Sequence, residues 1–116
     1  MSDEQQLLMS AYRQFNARNI DSVLALMHSE VEWANGLEGG HVHGREAVRA
    51  YWTRQWAMVD PHVEPVEFSY GPEGKIVVEV HQVVRDLNGS VLVDKMVTHV
   101  FQIENGLVKR FDIAGS

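Results

Sequence analysis

Hydrophobic positions along this chain switch from a helical to a strand period, return to helical, and then stay strand-like through the second half. Between residues 3 and 17, Leu7, Leu8, Ala11, Tyr12 and Phe15 recur on one helical face. Ser2 with Gln5 fits a capping box at its start. Asn19 is placed to cap a second, short helix with Val23, Leu24, Leu26 and Met27 as its apolar residues. VEWAN, residues 31–35, alternates: Val31, Trp33 and Asn35 share one side of a strand, Glu32 and Ala34 the other. GLEGGHVHG, residues 36–44, has four glycines in nine positions and predicts a loop. From Arg45 the helical period returns, with Val48, Tyr51, Trp52, Gln55, Trp56 and Val59 on one stripe. Asp60-Pro61-His62 ends that helix, because proline cannot continue it and restricts the residue before it.

The rest reads as an antiparallel meander. Val66, Phe68 and Tyr70 alternate, and Pro65 suits an edge strand. KIVVEVHQVVRDL and VLVDKMVTHVFQI are runs rich in β-branched residues joined through Asn88-Gly89, and LVKRFDI follows Asn105-Gly106. Asn-Gly between such runs signals a hairpin. A two-residue turn at Asn88-Gly89 sets Val78 opposite His99, Ile76 opposite Phe101 and Val80 opposite Val97. One face then carries Ile76, Val78, Val80, Val84, Val93, Val97 and Phe101 together with Gln82, Lys95 and His99. As the more apolar face, it is assigned to the helices and the core. The other carries Glu79, His81, Arg85, Asp94, Met96 and Thr98. A three-residue turn would slip this pairing by one and flip it. The last strand admits two registers: a two-residue turn at Asn105-Gly106 sets Asp112 opposite His99, and a three-residue turn with Gly106 in a bulge sets Phe111 there.

Composition narrows the function classes. At 116 residues, the chain reads as one domain, 1–116, with a core of its own. A net charge of −6 with scattered Lys and Arg gives no nucleic-acid surface. Cysteine is absent, which removes disulfides, thiolate catalysis and cysteine metal sites. No apolar run approaches the ~20 residues that cross a bilayer, and MSDEQQ is too acidic and polar for a signal peptide. A cytoplasmic location is expected, without membrane or nucleic-acid partners. No cofactor is expected.

Two N-terminal helices, VEWAN, a glycine-rich loop, GREAVRAYW and a meander ending VTHVFQIENGLVKRFDI resemble a SnoaL-like domain, a branch of the nuclear transport factor 2-like superfamily that includes ketosteroid isomerase. The resemblance covers nearly the whole chain. It rests on apolar and glycine positions, so it is specific for fold rather than activity. It implies an α+β, cone-shaped barrel in which a curved antiparallel sheet wraps a long helix, with two further N-terminal helices. Such a cone encloses an apolar pocket, and homodimers through the outer sheet face are common in the family. The isomerase's aspartate base, counted back from Gly44, falls on Asn35, an amide that cannot take a proton at neutral pH. Its oxyanion-hole tyrosine aligns with Ala11, one position before Tyr12, and its oxyanion-hole aspartic acid with His99. Steroid-type isomerisation is therefore not carried over intact. The family's polyketide cyclases use a pocket aspartate, a part that His99 or Asp112 would play only if facing inward.

His99 and Asp112 are the candidate acid/base residues, weighed against a satisfied core histidine and a surface carboxylate. Trp33, Trp52, Trp56 and Phe101 are core residues taken singly, but in a cone they become pocket walls. Tyr12, Asn35, Gln55 and Gln82 are then the polar groups that orient a ligand, Asn35 as a donor to a carbonyl. His41 and His43 would share a face on a strand as a metal pair, but no third ligand follows from spacing, and no metal site is expected. Val77, Val83, Leu92, Met96 and Val100 make the outer face apolar enough to suggest a homodimer contact. The expected function is a small-molecule site with isomerase-, cyclase- or lyase-like acid/base chemistry on an apolar carbonyl compound. The alternatives are a non-catalytic ligand-binding domain and a dimeric interaction module with a filled cone.

Overall fold

The computed structural model describes residues 3–36 and 39–114. Helices α1 (Asp3–Asn16) and α2 (Ile20–Leu24) lead into β1 (Met27–Ala34) and β2 (His41–His43), followed by α3 (Arg45–Met58). Strands β3 (Val59–Tyr70), β4 (Ile76–Asp86), β5 (Val91–Glu104) and β6 (Leu107–Ala114) complete the chain. They form one six-stranded sheet in the order β2-β1-β6-β5-β4-β3. The expected α+β cone is the fold, with one correction: β1 pairs with β6 in parallel, so the sheet is mixed. The capping box expected of Ser2 and Gln5 lies outside the described residues.

Three boundaries differ from the sequence pattern. Met27 opens β1 rather than closing α2, because Arg45 donates two hydrogen bonds to the Met27 carbonyl, at 2.9 and 2.6 Å, and ties the start of α3 to that strand. The segment His41–His43 was read as loop, but it pairs with Glu32–Ala34 as a short edge strand. Val59 belongs to β3, which already includes Pro61; proline is tolerated there because β3 is the opposite sheet edge. Asn16 covers part of that edge from α1: its amide donates to the Val63 carbonyl at 2.7 Å and its oxygen accepts the Val63 N–H at 3.0 Å. Asn19 stands at the start of α2 as expected, but its amide bonds Gln14 at 2.8 Å instead of capping the helix. Gly44, with φ of 86°, makes the corner between β2 and α3.

The β4–β5 pairing is the expected one, reached by a different route. Asp86 and Ser90 close a three-residue turn, Leu87–Gly89, and the Asp86 carboxylate accepts the N–H groups of Asn88 (2.9 Å) and Ser90 (3.0 Å). That turn would slip the register, but Leu92 is an extra residue in β5, since Arg85 pairs with Val91 and Val84 with Val93. The bulge restores Val78 opposite His99. At β5–β6 neither expected register occurs. Glu104 pairs with Leu107, as in a two-residue turn, but Lys109 is then bulged out, so Phe101 faces Phe111 and His99 faces Ile113. Phe111 points inward and Asp112 outward.

The core lies between α1, α3 and the concave sheet face, where Leu8, Val31, Val48, Trp52, Ile76, Val78 and Val80 are buried. Phe111 is only 4% exposed and stacks on Trp33 with ring centroids 4.1 Å apart. Replacing a buried Phe by Ala costs about 3–5 kcal/mol, whereas a surface carboxylate contributes ~1 kcal/mol or less. Urea unfolding should therefore show Phe111→Ala losing several times the stability that Asp112→Ala loses. Equal losses would contradict the register found here.

Candidate functional site

The concave face does not fill. Between α1, α3 and the sheet is a cavity of about 340 Å³ lined chiefly by apolar and aromatic side chains. Each comes from a position that the local period turns inward: Tyr12 and Phe15 from α1, Tyr51, Trp52 and Gln55 from α3, Trp33 from β1, Gln82 and Val84 from β4, Lys95, His99 and Phe101 from β5, Phe111 and Ile113 from β6. Its inner wall is a continuous set of ring contacts. Trp33 meets Trp52 edge-on at 5.2 Å, Trp52 meets Phe15 at 5.2 Å, and Phe111 contacts Phe101 at 5.1 Å and His99 at 4.7 Å. Edge-to-face and offset contacts are the favoured aromatic geometries, and they leave a shaped void.

Seven of the ten residues named from sequence line this cavity: Tyr12, Trp33, Trp52, Gln55, Gln82, His99 and Phe101. Three do not. Asn35 is drawn into the β1–β2 turn, where its N–H donates to Gly40 (2.9 Å) and its carbonyl accepts from Gly39 (2.9 Å). Trp56 sits beside the cavity, stacked on Trp52 at 5.8 Å and covered by the Arg18 guanidinium at 5.0 Å from its ring. Asp112 lies on the outer face because of the Lys109 bulge. There it bonds Arg110 at 2.8 Å and His41 at 2.7 Å, so the Asp112–His99 pair does not exist. Partial burial opposes ionisation of Asp112, but the Arg110 and His41 contacts outweigh it and hold its carboxyl below the ordinary value.

The polar centre of the cavity is Tyr12 with His99. The Tyr12 hydroxyl is 2.7 Å from Nδ1 of His99, and the two rings are nearly parallel, with a 9° interplanar angle. Burial disfavours charge on both: it pushes His99 down to about 4 and Tyr12 well above the ordinary phenol value. At neutral pH both are uncharged, so the pair offers hydrogen bonds rather than an ion. Among the described residues that line the cavity there is no carboxylate. Residues beyond the expected ones also line the cavity, among them Lys95, which the β4–β5 register places on the inner face, Tyr51, whose hydroxyl accepts the Gly36 N–H at 3.0 Å, and Pro61 of β3.

His41 and His43 do share one face, the outer one. His43 is held by Glu32 through Nδ1 and by Glu30 through Nε2, both at 2.7 Å, and the hydrogen bond accepted by Glu30 chiefly raises its imidazole above the ordinary value. Among the described residues no cluster of three His, Cys, Asp or Glu side chains is arranged to hold a metal ion. Nor is any described helix long and apolar enough to cross a membrane.

Comparison with known proteins gives a consistent picture. The profile of the SnoaL-like domain family matches residues 10–111. A nuclear transport factor 2-like protein of unknown function from Burkholderia pseudomallei is 29% identical; the match covers 97% of this chain and 90% of that one, with a TM-score of 0.84. TerC, co-crystallised with polyporic acid, is 22% identical over 97% of this chain and 90% of its own, also at 0.84. A Mycobacterium tuberculosis protein in complex with estradiol-17beta-hemisuccinate is 18% identical over 100% of this chain and 95% of its own, again at 0.84. No functionally curated protein matches the chain.

The buried imidazole makes a prediction about acid stability. Its folded value of about 4 lies below the unfolded 6.5, so between these pH values the unfolded chain binds the additional proton. Stability from this group is complete above the unfolded value and is lost as pH falls toward 4, on the order of 3 kcal/mol at full extent. An NMR titration should find the His99 ring still neutral at pH 5.5. Urea unfolding of His99→Gln should lack this part of the acid-side loss. A His99 ring that protonates near 6.5 would contradict the buried pair.

Proposed function

This chain belongs to the SnoaL-like domain family, and we propose that it is a small-molecule-binding member whose cavity holds an apolar carbonyl compound, with the carbonyl oxygen hydrogen-bonded at the Tyr12–His99 pair. The observation that carries this reading is a neutral, hydrogen-bonded pair at the polar centre of an otherwise aromatic cavity. Such a site rewards a ligand with an apolar body and one well-placed oxygen. With Nδ1 held by Tyr12, Nε2 is the His99 nitrogen left for that oxygen. Two fold neighbours have been crystallised with small organic ligands, in keeping with this use of the cone. The cysteine-free composition accords with a cytoplasmic location.

Acid/base catalysis is the second reading, and the same geometry limits it. A general base works best with a value near the operating pH, and an imidazole held at about 4 is a weak one. Asp112 faces away, and Asn35, which the count from Gly44 aligns with the isomerase's base, is an amide held in the β1–β2 turn. What Tyr12 and His99 supply is stabilisation of negative charge on a carbonyl oxygen. Catalysis on this reading would act by favouring the enolate, with the proton leaving to solvent or to the ligand itself.

Homodimerisation belongs to the same proposal. On the outer face Met96 is 53% exposed, and Val77, Val83 and Val100 around it are only half-buried. A second copy covering this face would remove that apolar surface from water.

Neutral acetylbiphenyl should quench the fluorescence of Trp33 and Trp52. Tyr12→Phe and His99→Gln should each weaken its binding about 5- to 10-fold, the worth of one hydrogen bond. Unaltered affinity in both variants would exclude the pair as the binding group. Exchange of the acetyl protons in heavy water separates the readings: exchange at the solvent rate supports binding alone, and acceleration lost in His99→Gln establishes catalysis. In sedimentation velocity, Met96→Arg should shift a dimer toward monomer; a wild type that is monomeric at all concentrations would sink the dimer.

A further inference from the structure

Among the described residues that line the cavity, Lys95 alone carries a formal charge at neutral pH. The chain as a whole has 16 acidic against 10 basic residues, yet no described carboxylate faces the cavity. Three arginines outside the cavity are in ion pairs: Arg18 with Asp60, Arg49 with Asp21 and Glu46, Arg110 with Asp112. Lys95 makes no ion pair among the described residues. It is exposed as well as lining, which places it at the opening; a lysine so placed lays its alkyl stem on apolar wall and keeps its ammonium in water. Gln82 is its cross-strand partner on β4 and also lines the cavity.

Strand geometry fixes where this cation stands relative to the polar pair. Lys95, Val97 and His99 alternate on the inner face of β5, opposite Gln82, Val80 and Val78. A strand advances ~3.3 Å per residue, so Lys95 and His99 are separated by roughly 13 Å along the wall. Val97 and its partner Val80 stand between them on the sheet, and Phe101, Phe111 and Trp33 lie at the His99 end. The cavity thus has an aromatic, neutral hydrogen-bonding end and a cationic mouth.

We infer that the ligand is a rod-shaped apolar acid, with a carbonyl or hydroxyl oxygen at one end for Tyr12 and His99, a body of two or three rings, and a carboxylate at the other end met by Lys95 with Gln82 beside it. This rests on the binding reading above and adds the charge and length of what is bound. A cation at a partly exposed mouth does not repay a fully buried charge; it selects, by attracting an anionic end and leaving that end solvated.

The test uses three probes on the intact protein, followed by tryptophan fluorescence: neutral acetylbiphenyl, the same molecule with a carboxylate on the far ring, and the one-ring acetylbenzoate. At low ionic strength the two-ring acid should bind about 3- to 10-fold more tightly than the neutral ketone, and the advantage should shrink as salt screens the mouth. Acetylbenzoate is too short to reach both ends and should be the weakest. Lys95→Met should remove the preference for the acid while leaving the affinity for the neutral ketone within about twofold, and Lys95→Glu should reverse the preference. Equal binding of acid and ketone by the wild type, or a preference that survives Lys95→Met, would overturn the anion site while the cavity reading stands. Binding of neither two-ring probe would overturn both.

Discussion

Three strands of the sheet each carry one residue more than their partner: Val66 in β3, Leu92 in β5 and Lys109 in β6. A bulge bends a strand and increases its twist, so these insertions let a single sheet curl around α1 and α3. They also decide which side chains face inward beyond the point of insertion, because side-chain period in a strand is strictly two. Leu92 restores the inner face that the three-residue turn before it would have reversed. Lys109 sends Phe111 inward and Asp112 outward. The aromatic wall, the missing carboxylate and the outer Asp112–His41–Arg110 contact are all consequences of where these single residues are inserted.

The void has a similar mechanical origin. Phe15, Trp33, Trp52, Phe101 and Phe111 are rigid plates in edge, tilted and stacked contact, and plates so braced cannot fold down to fill the space they enclose. The backbone positions from which they project are fixed by the sheet ladder, by the Arg45 bonds to Met27 and by the Asn16 bonds to Val63. The cavity is therefore preformed, and a ligand entering it has little protein ordering to offset. The same surroundings withdraw water from Tyr12 and His99. Their mutual hydrogen bond replaces part of that lost solvation, and neutrality is the state in which both can remain there.

The helices and the apolar face of the meander were legible in the sequence because each is a local period; Val78 stands opposite His99 as counted only because the Leu92 bulge cancels the third residue of the turn. What the pattern missed was set by contacts distant in sequence. His41–His43 has no strand pattern of its own and becomes a strand by pairing with Glu32–Ala34. Met27 reads as helix by its apolar neighbours and is pulled into β1 by Arg45. Lys109 looks like any polar strand residue, and nothing local says that it is bulged; hence neither expected residue stands opposite His99, although Phe111 inward and Asp112 outward is the facing that the three-residue turn implied. Asn35 obeyed the alternation up to the turn and was then taken by it. Lys95 is of a different kind: the register alone puts it on the inner face, and a charge on the apolar side of a strand is the feature that most needs a reason.

Charge then separates the two proposed readings of this cavity. Proton transfer in a closed, apolar site requires a group whose two charge states are both accessible, and burial without a counter-charge suppresses one of them. His99 is held neutral by burial and has no described carboxylate in the cavity to stabilise an imidazolium. Selection of a ligand requires only fixed groups of known sign and spacing, and the cavity has these: two neutral hydrogen-bonding groups deep inside and one cation at the opening. The arrangement opposes the transfer of a proton from carbon and favours the capture of a molecule whose own charge stays at the mouth, which is why the binding reading accounts for more of the site than the catalytic one.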